Sequence, residues 1–574
     1  MWPGPRSREL GLASGEGERL SSSRDISFDT FSQMKRRITF AQGTDAPFDP
    51  DQAQLTKDAL LIRALEAARE ERLTFGFNEL PSELWQVLKQ CHELHIRWAS
   101  EQPYNAVAPF SSRVSPGLHV FLTPISADKP LARLCPLLKK VFSDDLKCTS
   151  PEVSQPELRE VSYDPGDLAE KISFTVPPIL SERFAATSSF QFHSLLPSLS
   201  SLVTYIQQKA CPSSDDDCQN RAASILAADY VDIDYDSISH TLTISGYWSK
   251  PPREDGWTEK IGKRDLGADK VEVGLLSSEP ATEPEELKVG GFLAVVGEDD
   301  HLKPTLFSFP SRHHPLPDDK SGYTVSFSSP TGLHPTLKIS IPRSSLKPPP
   351  APSDATCALH TYLTLPSYIF ADKYQLSTTD SLFLKSHNLV SLRAVSGETD
   401  LEAPDWVVPR WGSNLLLELA TPQDQGSKGD WDITIPLHLR YLHPSPSGNR
   451  TVSVPWPVVF WACTAEQGTK MGVNPFDRVN LGWEGLFGPR TMFYQLDPSP
   501  SGQQNRLVEE ITVPVLPMKD GEDGARQART IEIGTVATIL LGFAWVLWKL
   551  GLVAWSSGTS RGKKAVGRSE KKYK

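Results

Sequence analysis

Ile433-Thr434-Ile435-Pro436-Leu437-His438-Leu439-Arg440-Tyr441 alternates apolar and polar side chains through its second half. Side chains of a strand point to opposite faces at each step, so Leu437, Leu439 and Tyr441 are expected on one face and His438 and Arg440 on the other. A turn at Pro444 to Asn449 follows, then a second apolar run with Val452, Val454, Val458 and Val459, ending at Cys463. That turn is longer than a two-residue hairpin loop, which leaves the register of the two runs open. Working outward, segments 304–309, 323–328, 336–341, 411–420, 431–441 and 451–461 are short and rich in Val, Ile, Thr, Phe, Tyr or Trp. Pro, Gly, Ser and Asp clusters separate them, the signature of an antiparallel β-sandwich. A β-rich domain is therefore expected over 255–520, with residues 278–286 and the KPPPAP stretch 347–352 as surface loops.

Upstream, two periodicities mix. Leu84, Val87, Leu88 and Cys91 repeat at helical spacing, as do Leu131, Leu134, Leu138, Val141 and Phe142, and then Leu195, Leu199, Leu202, Val203 and Ile206. Strand-like pieces such as His119 to Leu122 lie between them, so 34–254 reads as a mixed α and β domain. Residues 1–33 are rich in Gly, Ser, Arg and Glu and are expected to be disordered. They hold no apolar run long enough for a signal peptide. Met34 opens MKRRITF, where an ordered chain is expected to start.

Downstream, Ile533 to Trp555 reads IGTVATILLGFAWVLWKLGLVAW, 23 residues with one charge, Lys549. A helix needs about 20 mostly apolar residues to cross a bilayer core. Lys549 lies roughly 24 Å along the axis from Ile533 at 1.5 Å per residue, where its ammonium can reach the interface. Trp545, Trp548 and Trp555 cluster at the same end, as interfacial aromatics do. Arg561, Lys563, Lys564, Arg568, Lys571, Lys572 and Lys574 follow, with Glu570 the one acid. A Lys/Arg excess favours the cytosolic side, so the tail 556–574 is expected in the cytosol and the N-terminal mass in a lumen. Lys571 and Lys572 stand four and three residues from the end, resembling the dilysine retrieval signal of the endoplasmic reticulum. Gly534, Thr538 and Gly542 recur at i, i+4 and i+8, and Lys549 falls within the same arc of about 80°, a stripe suited to close helix docking.

Charged residues at 22% and hydrophobic ones at 39% describe a globular chain, and a net charge of −11 argues against a general nucleic-acid role. Forty-eight prolines favour short strands and many turns. Of seven cysteines, Cys211 and Cys218 are spaced to close a small loop in an oxidising compartment, and the odd count leaves at least one unpaired. No CxxC or zinc spacing occurs. Asn449-Arg450-Thr451 is a glycosylation sequon in a turn.

Catalytic signals are sparse. There is no GxSxG, HExxH or P-loop. Val231 to Asp236 (VDIDYD) holds two overlapping DxD triplets, the pattern with which many glycosyltransferases hold a metal-bound donor. The same spacing describes a half-exposed strand with Val231, Ile233 and Tyr235 inward and Asp232, Asp234 and Asp236 in solvent, the reading preferred here. An EF-hand loop is excluded by Ser237 at position six and Thr243 at position twelve. Arg312-His313-His314 and Leu333-His334-Pro335 are read as turn histidines rather than catalysts. No catalytic residue, cofactor site or metal site is expected.

Four segments resemble the PIG-X family, including its fungal members named for protease B non-derepression. They are Pro330 to Pro335 (PTGLHP), Cys357 through Leu376 with its LPSYIFADKYQL core, Pro436 to Tyr441 (PLHLRY), and Val454 to Cys463 (VPWPVVFWAC). Residues 323–516 carry the likeness, and 34–322 look like the extra region of filamentous-fungal members. The resemblance implies a non-catalytic subunit of GPI mannosyltransferase I in the endoplasmic reticulum membrane. It would stabilise a multi-pass catalytic partner resembling PIG-M, which adds the first mannose of the GPI precursor. The family supplies no catalytic residues. Its fungal members also lack an evident N-terminal signal and have been linked to folding of other proteins of this compartment, so a chaperone role is the alternative.

Overall fold

The computed structural model of the protein describes residues 35–43, 49–76, 79–108, 110–125, 133–149, 173–178, 189–263, 270–316, 322–329, 331–422, 429–472, 474, 476, 481–500, 505–519 and 521–562. The expected disordered extension 1–33, Met34, Leu131, Pro330 and the dilysine Lys571 and Lys572 lie outside them.

Lys35–Gln42 sits inside a ten-stranded sheet rather than at its edge. It pairs antiparallel with Ala68–Gly76 and parallel with Val271–Glu279, Phe40 lying opposite both Arg69 and Leu275. From that centre the sheet runs one way through Glu286–Val295 to Lys303–Pro310. The other way it runs through Thr241–Trp248, Tyr230–Asp236, Cys91–Ala99 and Gly117–Pro124 to Phe190–Ser194. Ile38, Phe40 and their sheet neighbour Val273 pack with Leu60, Ile62 and Ile261 of a small three-stranded sheet laid over this end. Beneath it, Arg69 joins Glu71 at 2.7 Å and Glu259 at 3.0 Å, and Arg36 joins Glu71 at 2.7 Å. Burial alone would raise the Glu71 carboxyl, but Arg69 and Arg36 hold it down at about 2.

A helix forms within each of the three periodic stretches, although Cys91 opens a strand and Leu195 and Leu199 precede their helix. Ser82–Leu88, Leu134–Val141 and Ser200–Lys209 lay Val87, Leu88, Leu134, Leu138 and Leu202 against one face of the large sheet, over Leu94, Ile96 and Val231. Asp216–Ser224 follows, with the Asp215 carboxylate accepting from the Cys218 amide at its N-terminus.

Beyond residue 310 the chain builds a sandwich. Six strands run in the order His313–His314, Thr491–Gln495, Val458–Ala465, Ala355–Pro366, Gly412–Leu419, Leu389–Gly397. Four more run Asp430–Pro436, Thr336–Pro342, Gly322–Phe327, Asp497–Pro498. Ile339, Ile341, Ile433 and Ile435 of the smaller sheet meet Leu363, Leu365, Leu415, Leu417 and Val459 of the larger in one core. The alternate residues Tyr362, Leu416, Val458, Phe460 and Phe493 form a second buried face. This face packs against Tyr104, Phe110, Tyr230 and Tyr247 of the N-terminal half. A sheet buried on both sides reads as a continuous apolar run, which accounts for Leu415-Leu416-Leu417 and Val458 to Ala462.

Two expectations change. The composition break at 254/255 is not a break between sheets, because the hairpins over 271–310 belong to the N-terminal sheet. Helix is sparse in this half: Lys373–Leu376 and Ser381–His387 are short helices, capped by the carboxylates of Asp372 and Asp380. Asp430–Pro436 pairs with Thr336–Pro342 rather than with the run after the turn. Asn449–Pro455 pairs instead with Val508–Pro514.

The cysteines pair as Cys135–Cys148, Cys211–Cys218 and Cys357–Cys463, leaving Cys91 as the free, buried thiol among them, pushed up to about 12 by burial. Gly521–Gly562 is one continuous helix whose segment Asp523–Trp555 is long and apolar enough to span a membrane, with its apolar window unburied by the rest of the protein.

Candidate partner-docking surface

The segments that carry the resemblance converge at the end of the sandwich where Thr336 pairs with Pro436. The Leu437 amide donates to Pro335 O and the Leu439 amide to Leu333 O, both at 2.9 Å, which fixes the GLH turn against the PLHLRY strand. Ile369–Phe370 pairs with His438–Leu439 from the other side. The Tyr368 hydroxyl donates to Ser453 O, tying in the fourth segment just ahead of Val454.

At the meeting point His334 and His438 present Nδ1 to Nδ1 at 3.0 Å with their rings perpendicular. The Phe370 ring stacks on His438, with centroids 5.4 Å apart. The Arg440 guanidinium lies 4.2 Å from the Phe370 ring centre and donates to Ser367 O at 3.0 Å and Ala403 O at 2.8 Å. Burial and the neighbouring His334 lower the His438 pKa, opposed by Asp372. An imidazole held neutral can accept the one shared proton bond that this pair needs.

The face assignment of the opening strand is corrected here. Arg440 is 2% exposed and Tyr441 65% exposed, the reverse of the alternation. The strand ends at Leu439, and the chain turns so that the Arg440 amide reaches Tyr368 O while its side chain caps two loop carbonyls. Tyr441 is thereby turned out beside Trp406 and Val407, the Asp405 amide donating to Tyr441 O at 3.1 Å and Trp406 stacking on His443. Trp406 and Tyr441 are thus exposed aromatics beside the converged segments, and Tyr374 is a further exposed aromatic within one of them. Alternation alone did not show it.

The other anticipated residues lie apart from this surface. Asn449 opens its strand and is exposed, as is Thr451. Gly534, Thr538 and Gly542 form a stripe along the terminal helix, with the Thr538 hydroxyl donating to Gly534 O at 2.8 Å. The Lys549 ammonium lies 5.4 Å and 5.7 Å from the Trp548 and Trp545 rings. His313 and His314 are buried against Trp483, Phe493 and Tyr494 in the seam between the two halves.

Asp232 is the second correction. Val231 and Tyr235 do face the helices, but Asp232 is 5% exposed rather than in solvent. Its face of the sheet is covered by the C-terminal half, and Arg97 meets it with two bonds of 2.6 and 2.9 Å. Asp234 reaches His95 at 3.3 Å, and Asp236 accepts from the Ile238 amide. Among the described residues no group of three or more His, Cys, Asp or Glu is arranged to hold a metal ion.

The family model described as PIG-X / PBN1 matches residues 330–551, a span that starts at the GLH turn and runs into the terminal helix. Protein pbn1 of Emericella nidulans is 64% identical over 532 residues, 92% of this chain and 97% of that protein. The chain belongs to the PIG-X / PBN1 family. Protein pbn1 of Neurospora crassa is 41% identical over 92% of this chain and 96% of its own length. Protein PBN1 of Debaryomyces hansenii is 30% identical over 256 residues, 42% of this chain. The sandwich that brings the converged segments together is thus the part described by the PIG-X / PBN1 model.

Proposed function

We propose that this chain is a non-catalytic, stabilising subunit of GPI mannosyltransferase I in the endoplasmic reticulum membrane, required for addition of the first mannose. The observation that carries the reading is the convergence of the family segments on the His334–His438 pair, with Trp406 and Tyr441 exposed on the chain beside Arg440. Exposed aromatics such as these suit a partner's loops, where Trp and Tyr supply most of the binding energy. The stripe Gly534, Thr538, Gly542 and Lys549 would pack on helices of a multi-pass catalytic partner resembling PIG-M. Three disulfide pairs suit an oxidising lumen, which agrees with the orientation set by the basic tail and with an exposed Asn449 as sugar acceptor. A single span cannot enclose a lipid-linked donor, so the chemistry belongs to the partner.

Depleting the protein should lower the amount of a multi-pass mannosyltransferase and accumulate unmannosylated GPI precursor. Normal precursor levels after depletion would overturn the reading. The alternative, a chaperone of the same compartment, favoured by the same exposed aromatics, predicts many loosely bound clients and intact GPI synthesis. Quantitative pull-down in mild detergent distinguishes the two.

A further inference from the structure

Between the large sheet and the three helices that cover it lies a cavity of about 120 Å³. Ile233 and Ile244 form its floor, and Leu84, Leu138 and Ile206 its roof. No polar atom faces it. Well-packed interiors leave few voids larger than a water molecule, so a space of this size is a feature of the fold. Its half-buried lining residues, Ile233, Ile244, Leu84 and Ile206, show that it opens to the outside.

The helices are held over this space from their outer side. Glu83 of the first helix accepts from the Tyr205 hydroxyl of the third at 2.6 Å and from Lys140 of the second at 2.5 Å, so one carboxylate clasps all three. Cys135–Cys148 and Cys211–Cys218 fasten the second and third helices near their ends. The roof is therefore braced rather than free to settle onto the sheet.

We propose that this cavity takes up the last few carbons of one hydrocarbon tail of a membrane lipid. Its chemistry excludes the other occupants. Water needs two to four polar partners, and none is offered. A peptide would bring backbone N–H and C=O groups that no wall can satisfy. A helix, about 10 Å across, is too wide for a space close in size to one that admits a benzene ring. The apolar terminal helix gives the chain its own access to a bilayer. Lys209 enters the wall with its methylene stem and keeps its exposed ammonium at the rim, so the interior stays apolar.

The test uses the full-length protein, without a mannosyltransferase partner, in nanodiscs of phosphatidylcholine doped with phosphatidylcholine bearing a diazirine at the end of one acyl tail. After irradiation, peptides from 75–96, 202–210 and 231–244 should carry lipid alongside those of the terminal helix. Ile244→Trp should lower labelling of the cavity peptides about tenfold, because the added ring takes the volume the tail would fill. Labelling of the terminal helix should stay unchanged. Leu137→Trp fills the same space from the roof and serves if the first variant does not melt cooperatively. Label confined to the terminal helix, or cavity label that both fillings leave intact, overturns the proposal. The readout involves no GPI precursor, so it succeeds or fails independently of the mannosylation assay.

Discussion

Arg97 and Asp232 stand opposite each other on neighbouring strands and close a two-point ion pair inside the seam where the ten-stranded sheet meets the sandwich. Both are almost fully buried. Deleting one partner leaves the other charge without compensation in a low-dielectric space, a loss of about 3–5 kcal/mol. Asp232→Ala should therefore shift the chemical unfolding midpoint strongly, and Arg97→Met with Asp232→Leu should recover part of the loss. Metal chelators should leave the wild-type midpoint unchanged; a chelator-sensitive midpoint would restore the donor-binding reading of the DxD triplets.

Acid should weaken the fold before the carboxylates titrate. Burial pulls His193, His314 and His360 down to about 4 and His313 to about 3, and lowers His119 well below its usual value. These imidazoles are neutral when folded and protonate near pH 6.5 when unfolded. Below pH 6.5 the unfolded chain binds more protons, so stability is full above that pH and falls as pH drops from 6.5 towards 4. Each such histidine contributes a slope of about 1.4 kcal/mol per pH unit. Glu71, held near 2, loses its contribution only below about pH 4.5. Urea midpoints measured from pH 8 to 5 should be flat at first and then decline; a flat profile through pH 5 would contradict the buried neutral histidines.

Arg440 and Trp406 separate folding from docking. Arg440→Ala removes two charge-assisted bonds to loop carbonyls and the contact with Phe370, a loss of about 3 kcal/mol or more. Trp406 is exposed, so Trp406→Ala should move the midpoint by no more than about 0.5 kcal/mol. The same variant should sharply reduce recovery of the multi-pass partner in co-purification. Equal recovery with wild type would remove the aromatic surface from the interface.

Gly542 has open space where a Cβ would stand, so this chain tolerates a larger residue there by itself. Gly542→Leu should leave folding unchanged yet lower partner assembly by blocking close helix approach. Intact assembly would reduce the terminal helix to a plain anchor.

Much of the architecture was legible because periodicity reports burial. The stripe Leu134, Leu138 and Val141 became a helix, and Gly322–Phe327, Thr336–Pro342 and Gly412–Leu419 became strands close to where composition placed them. What escaped was the third layer. A strand with one polar face against another part of the protein carries the same letters as one facing water, so Asp232 could not be told from a solvent residue until Arg97 was seen beside it. Arg440 escaped for a related reason: the loop carbonyls of Ser367 and Ala403 that hold it are 73 and 37 positions away in sequence. The converged surface was legible only as separate segments, because nothing in a linear pattern states which turns share an end of a sheet.

The parallel pairing of Lys35–Gln42 with Val271–Glu279 has a consequence for biosynthesis. Arg37 must wait for Glu272, 235 positions later, before its strand has both neighbours. At roughly 5–20 residues per second, that interval is on the order of ten seconds or more of elongation. Throughout it, the row containing Ile38 and Phe40 lacks its final cover, so the first of the described strands to be made is among the last to be sealed. The strand therefore gains its second neighbour only after about half of the chain has been synthesised.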